Sequence, residues 1–139
     1  MSLQNRVLTK IIQVRQSLAR IQTRLQIPLA EFLNNADAQD VVVLNFQNAI
    51  QGCIDLAEYL IADQEWGVPG SAGEAMDTLA EHGVISPAEA ETYKSMIRFR
   101  NLLVHAYARI DYRQVYEVMQ SRPQDIERYI DSLAAFCKL

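Results

Sequence analysis

Apolar residues recur along the first part of the chain at spacings of four and three, at Val7, Ile11, Val14, Leu18, Ile21 and Leu25. A helix advances about 100 degrees per residue, so these positions line up as one stripe. The spacing predicts an amphipathic helix over residues 3 to 26, ending near Pro28. A broader apolar face, Val42, Phe46, Ala49, Ile50, Cys53, Ile54, Ala57, Leu60 and Ile61, predicts a second long helix from Asp37 or Asp40 to Ala62. Its breadth makes it the central element.

The rest of the chain is punctuated by capping signals. The loop QEWGVPG closes the second helix, and Ser71 with Glu74 in SAGE has the spacing of a capping box for a short helix ending at Gly83. In SPAE, Ser86 is an N-cap, Pro87 fits the first helical position and Glu89 completes the box. A fourth helix should start there and run through RFRNLLVHAYARID, residues 98 to 111. DYRQVYEVM reads as a further short helix, and Ser121 with Pro123 starts a last one bearing Ile126, Tyr129, Ile130, Leu133 and Phe136. No strand pattern or repeat competes. The expected fold is all-α, an antiparallel bundle of two long helices plus three or four shorter ones, in a single domain over residues 1 to 139.

Composition narrows the class. An apolar content of 50% and a mean hydropathy of −0.07 suit a soluble globular protein. No run approaches the roughly 20 apolar residues of a membrane span, and MSLQNRVLTK lacks a signal peptide's apolar core, so a cytoplasmic location is expected. Cys53 and Cys137 sit far apart among apolar neighbours, as buried thiols do. The glycines at 67, 70 and 73 lack the following Gly-Lys-Ser/Thr and the preceding strand of a phosphate-binding loop, which leaves them as loop chemistry.

A net charge of −4 disfavours general nucleic-acid binding, but the average hides an asymmetry. Residues 1 to 30 hold Arg6, Lys10, Arg15, Arg20 and Arg24 with no acid, whereas residues 31 to 93 hold twelve acids and no lysine or arginine. Basic groups return with Lys94, Arg98, Arg100, Arg109 and Arg113. A local basic face matters more to a polyanion than the total charge.

RFRNLLVHAYARID, residues 98 to 111, concentrates the chemistry. Polar heads on a packing helix must stay solvated or find partners. On a regular helix Arg98, Asn101 and His105 share one face while Arg100, Val104 and Tyr107 share another, with Arg100 and His105 about 140 degrees apart. One straight helix would not aim both at a small target. Either the helix is distorted near Val104, or the site is a wide cleft, or two copies of the chain meet there. The cluster offers no serine, cysteine or paired carboxylate as nucleophile and no set of metal ligands. It offers a histidine able to move a proton near neutral pH and guanidinium groups that fork onto phosphate. That suits a substrate carrying its own nucleophile, and the 2′-hydroxyl of RNA lies beside the scissile phosphorus. The structural alternative is that His105 caps the helix carbonyls while Arg98 or Arg100 pairs with Asp55 or Glu58.

Arg100-Asn101-Leu102-Leu103-Val104-His105 resembles the motif of the HEPN superfamily, an arginine and a histidine separated by four to six residues, with the common asparagine after the arginine. His105-Ala106-Tyr107 extends it to His-x-Tyr, and AIQGCIDLAEYLIAD is similar to the family's second-helix segment. Together these resemble the HepT toxins of HepT/MntA toxin-antitoxin pairs. The resemblance implies a type VII-like system with a metal-independent endoribonuclease as toxin, acting without a cofactor as a homodimer whose two motifs face a shared cleft. It makes Arg100 and His105 catalytic, Asn101 supporting, and Tyr107 the target of adenylylation by an MNT-type nucleotidyltransferase antitoxin, in a complex of higher order than the dimer. Arg98 and Arg109 become candidates for RNA-backbone contact, tRNA and mRNA being the candidate substrates. The rival is a non-catalytic helical dimer that binds a nucleotidyltransferase or its nucleotide.

Overall fold

The computed structural model describes residues 2–139, apart from the side chain of Tyr107. In these residues seven α-helices run α1 (Leu3–Gln22), α2 (Leu29–Phe32), α3 (Ala36–Gln64), α4 (Ala72–Glu81), α5 (Pro87–His105), α6 (Tyr112–Ser121) and α7 (Pro123–Phe136), with a 3-10 turn at Tyr107–Arg109. Among the described residues there is no strand. The all-α architecture is as expected, but α5 nearly matches α1 in length, so three long helices carry the bundle.

α1 and α3 form its backbone. Arg6 stacks over the Tyr59 ring at 4.4 Å, Lys10 pairs with Asp55 at 3.2 Å and Val14 seats against Gly52, so partners descend along α3 as α1 ascends. The helices are therefore antiparallel. The predicted stripe Val7, Ile11, Val14, Leu18 and Ile21 is buried against Val42, Phe46, Ala49, Ile50 and Leu56 of α3 or their neighbours in one continuous apolar cluster. Each such side chain contributes about 1.5–3 kcal/mol on leaving water. α5 lies on another side of α3, with Phe99 edge-on to Phe46 at 5.8 Å. α7 closes the core, where the Tyr129 hydroxyl donates to the Cys53 carbonyl at 2.6 Å and its ring meets Tyr93.

Several boundaries differ from expectation for local reasons. α1 stops at Gln22, not at residue 26, because the Arg24 and Leu25 amides bond three residues back and tighten the chain into turns. Leu25 still packs on the core. After Pro28 comes a helical turn the periodicity did not predict, α2, which buries Phe32 between the rings of Tyr112 and Tyr116. α3 is capped by Asn35, whose side chain accepts from the Ala38 amide, so it begins before Asp37 and runs past Ala62.

The two capping boxes are not equal. At Ser86 and Glu89 both reciprocal bonds form. At Ser71 the hydroxyl accepts from the Glu74 amide, but the Glu74 carboxylate accepts from Gly70 at 2.6 Å instead of returning to Ser71. α4 ends with Gly83 at φ 75, where a left-handed residue lets the Val84 amide reach the Leu79 carbonyl. Ser121 does not start α7. It ends α6, with its hydroxyl on the Glu117 carbonyl, and α7 begins at Pro123 without a side-chain cap. Among the described residues no helix is long and apolar enough to cross a membrane.

Candidate active site

α5 owes its length to the capping box at one end and to Met96, Ile97, Phe99 and Leu103, which hold it on the core. It stops at His105. The Ala106 amide makes the last bond back to Leu102, Ala106 leaves the helical region at φ −126, and a single 3-10 turn follows. The helix therefore does not run through Tyr107, and the row of Arg100 and Val104 ends there. Tyr107 opens the 3-10 turn, while its side chain lies outside the described residues.

Arg100 faces α3. Its Nη2 donates to Gln51 Oε1 at 2.6 Å and its Nη1 to Asn101 Oδ1 at 3.1 Å. Its Nε is buried with no hydrogen-bond partner among the described residues. Gln51 continues outward, its Nε2 donating to Asp55 Oδ1 at 2.9 Å, and Asp55 Oδ2 receives Lys10 at 3.2 Å. The relay fixes the amide's sense. Asp55 demands a donor, so Nε2 faces Asp55 and only Oε1 remains for Arg100.

Asp55, one of the two acids that the structural alternative offered to Arg98 or Arg100, is thus taken by Lys10 and Gln51. Two neutral amides hold the guanidinium instead, and they orient it without cancelling its charge. A carboxylate at the same distance would form a charge-assisted fork and blunt the field available to a phosphate. Asn101 serves here as a direct partner of Arg100. Gln51 was missed by sequence reasoning; its spacing of four from Asp55 was visible, but its contact with a residue 49 positions away was not.

Arg98 and His105 are exposed on the other face of α5, with Asn101 and with Leu102, which is 54% exposed. The divergence of Arg100 and His105 expected from helical geometry is what the protomer shows. Leu44 at 55% and Val104 at 36% are further large apolar side chains left open near this end of the α3–α5 pair. Arg98 lines a cleft of about 380 Å³ between α5 and the α6–α7 pair, and Arg109 lines an adjoining cleft of about 140 Å³. Among the described residues no group of three or more His, Cys, Asp or Glu gathers as metal ligands would. The only other histidine, His82, stacks on Trp66 at 4.0 Å beside α4.

The family model for ribonuclease HepT-like proteins matches residues 14–133 of this chain. The chain belongs to the HepT-like family. It is 30% identical over 129 residues to the mRNA nuclease HepT of Shewanella oneidensis, covering 93% of this chain and 96% of that one. A tRNA nuclease HepT of Aphanizomenon flos-aquae is 22% identical over 128 residues, covering 92% and 87%. Among solved structures, the tri-AMPylated Shewanella oneidensis HEPN toxin in complex with MNT antitoxin superposes with a TM-score of 0.85 at 29% identity, covering 93% and 96%. The HepT-like fold thus extends over nearly the whole chain, with the Arg100 to His105 segment inside the matched region.

Proposed function

We propose that this HepT-like chain is an RNA-cleaving toxin in which Arg100 and His105 act on the phosphodiester without a metal ion. The observation that carries the reading is the state of Arg100, a guanidinium fixed by Gln51 and Asn101 with no carboxylate paired to it among the described residues, on the same helix as an exposed histidine. In the reaction the 2′-oxygen forms a bond to phosphorus, the bond from phosphorus to the 5′-oxygen breaks, and the proton leaves the 2′-hydroxyl for the departing 5′-oxygen. His105 accepts or returns that proton, and Arg100 offsets the charge on the phosphorane-like transition state. The products are a 2′,3′-cyclic phosphate and a 5′-hydroxyl. Arg98 and Arg109 contact the RNA backbone.

A homodimer accounts for the divergence within one protomer. Two-fold symmetry sets pairs of Arg100 and His105 around a shared cleft, and exposed Leu44 and Val104 give such an interface apolar surface to bury. Control by an MNT-type nucleotidyltransferase fits the tri-AMPylated toxin–MNT antitoxin complex among the relatives; in this reading the antitoxin is bound in a higher complex in the cytoplasm and Tyr107 is the adenylylated residue. An added AMP places bulk and negative charge directly after the helix that ends in His105, which would repel RNA.

The test is the chemistry of the ends. Unmodified protein, its bare tyrosine verified by intact mass, is incubated with RNA in EDTA. Cyclic-phosphate and 5′-hydroxyl ends support the reading. The divergence of the two residues also favours a second reading, a non-catalytic dimer that binds the nucleotidyltransferase, and intact RNA at high protein concentration would select it.

A further inference from the structure

We propose that the larger cleft between α5 and the α6–α7 pair is a nucleobase subsite, taking one unstacked base of the RNA strand whose backbone follows the exposed face of α5. This rests on the ribonuclease reading and adds to it the means by which the chain would choose where to cut. The floor is apolar and partly aromatic, with Phe99 set edge-on against Phe46 and with Met96 and Ile126 buried beside them. The rim is polar, made by Arg98, Gln114 and Arg122. An apolar floor with a few polar groups at its edge, in about 380 Å³, has the size and character of a small-molecule site.

Charge selects the occupant. No carboxylate is among the described residues that line the larger cleft, although the chain holds 17 acids against 13 bases. Asp125 lies nearby and pairs with Arg122 at 2.9 Å, but it also receives Arg128 at 3.0 Å, so two guanidinium groups share one carboxylate. Arg98 makes no ion pair among the described residues. The cleft is therefore basic on an acidic protein, which suits a group attached to phosphate. Single-stranded RNA is read in this way, with splayed bases on aromatic and guanidinium surfaces and base edges hydrogen-bonded by side chains. The Gln114 amide carries both a donor and an acceptor for such an edge.

The placement connects the cleft to the chemistry. Arg98 and His105 share a face of α5 and are separated by two turns, about 10 Å along the axis. The smaller cleft shares Phe99, Leu102 and Gln114 with the larger and continues past Ala106 to Arg109. Asp111 also lines the smaller cleft, where its carboxylate accepts from the Arg113 and Gln114 amides at the start of α6. A base in the larger cleft thus leaves its neighbouring phosphates between Arg98 and Arg109, along the exposed face that leads to the end of α5.

The test compares Val118→Phe, which adds bulk from the α6 wall, and Gln114→Ala, an exposed truncation, with wild type. Binding of short single-stranded oligonucleotides of one base type is measured by fluorescence anisotropy in the His105→Ala background, where substrate survives. Cut sites are mapped with His105 intact. Val118→Phe should weaken RNA binding by about 5- to 150-fold, as losing one stacked base does. Gln114→Ala should flatten the preference among bases and shift the cut-site map. Unchanged binding and an unchanged map in folded variants would overturn the subsite while leaving cleavage by the wild type in place. Absence of cleavage by the wild type would instead overturn the ribonuclease reading, and the binding comparison would still decide the subsite. Val118→Phe weakening nucleotidyltransferase binding but not RNA binding would assign the cleft to a protein side chain, against the proposal.

Discussion

Replacing Gln51 with leucine should slow RNA cleavage without disturbing the histidine. Leucine approximates the shape but removes the acceptor, so Arg100 loses the 2.6 Å bond that draws its Nη2 toward α3 and keeps only Asn101. A hydrogen bond to a charged group contributes about 1.5–3 kcal/mol. At about 1.4 kcal/mol per decade of rate, full loss of that orientation lowers kcat by about 10- to 150-fold. Single-turnover cleavage of a defined RNA, with KM measured separately, reads the effect. The decrease should fall on kcat, with KM within a few-fold and the shape of the pH profile retained, because His105 is not part of the relay. Gln51→Glu gives a second, distinct expectation. It keeps an acceptor at Arg100 but neutralises the guanidinium and faces Asp55 with a like charge, so it too should be slow. Wild-type kcat in Gln51→Leu would refute the idea that the amide relay positions Arg100. Wild-type kcat in Gln51→Glu would refute the idea that its neutrality matters.

Three further outcomes follow from the packing. Gly52→Ala would push a methyl into the Val14 side chain at the α1–α3 crossing, and an overpacking cost of about 1–3 kcal/mol should exceed the gain in helix propensity of about 1 kcal/mol; a raised melting temperature would contradict this. Burial pushes the Cys53 thiol far above its ordinary range, and the neighbouring Asp55 and Glu127 add to it; Cys137 is raised by burial as well. Both should resist a thiol reagent at neutral pH in the native protein and react promptly in denaturant. The backbone bond from Ser86 holds the Glu89 carboxyl below its ordinary value of 4.5, with the Ser86 and Tyr93 hydroxyls and the field of Arg128 acting the same way against a smaller effect of burial. A pKa lowered by folding stabilises above the unfolded value and is lost as pH falls through the folded one. The melting-temperature gap between wild type and Glu89→Ala should accordingly be full at neutral pH and shrink below the ordinary carboxylate range.

The sequence was most informative where one residue's structure depends on its near neighbours. The stripe from Val7 to Ile21 and the box at Ser86 and Glu89 are local patterns, and both appear in the structure as read. Local spacing also anticipated that Arg100 and His105 diverge. α2 was not legible, because four residues cannot show a period and Pro28 looked like an end rather than a cap. The burial of Phe32 that holds α2 depends on Tyr112 and Tyr116, some eighty residues later. The same applies to Gln51, which was one polar residue on a largely apolar helix until α5 brought Arg100 to it. The Lys10 to Asp55 pair, linking α1 to α3, takes one of the acids that helical spacing left open to Arg98 or Arg100.

The most direct test of the account is cleavage of total tRNA and of mRNA in EDTA by unmodified wild type, His105→Ala and Arg100→Ala of matched thermal stability. Cleavage is expected from the wild type and should be lost in both variants. Cleavage by either variant at the wild-type rate would contradict it.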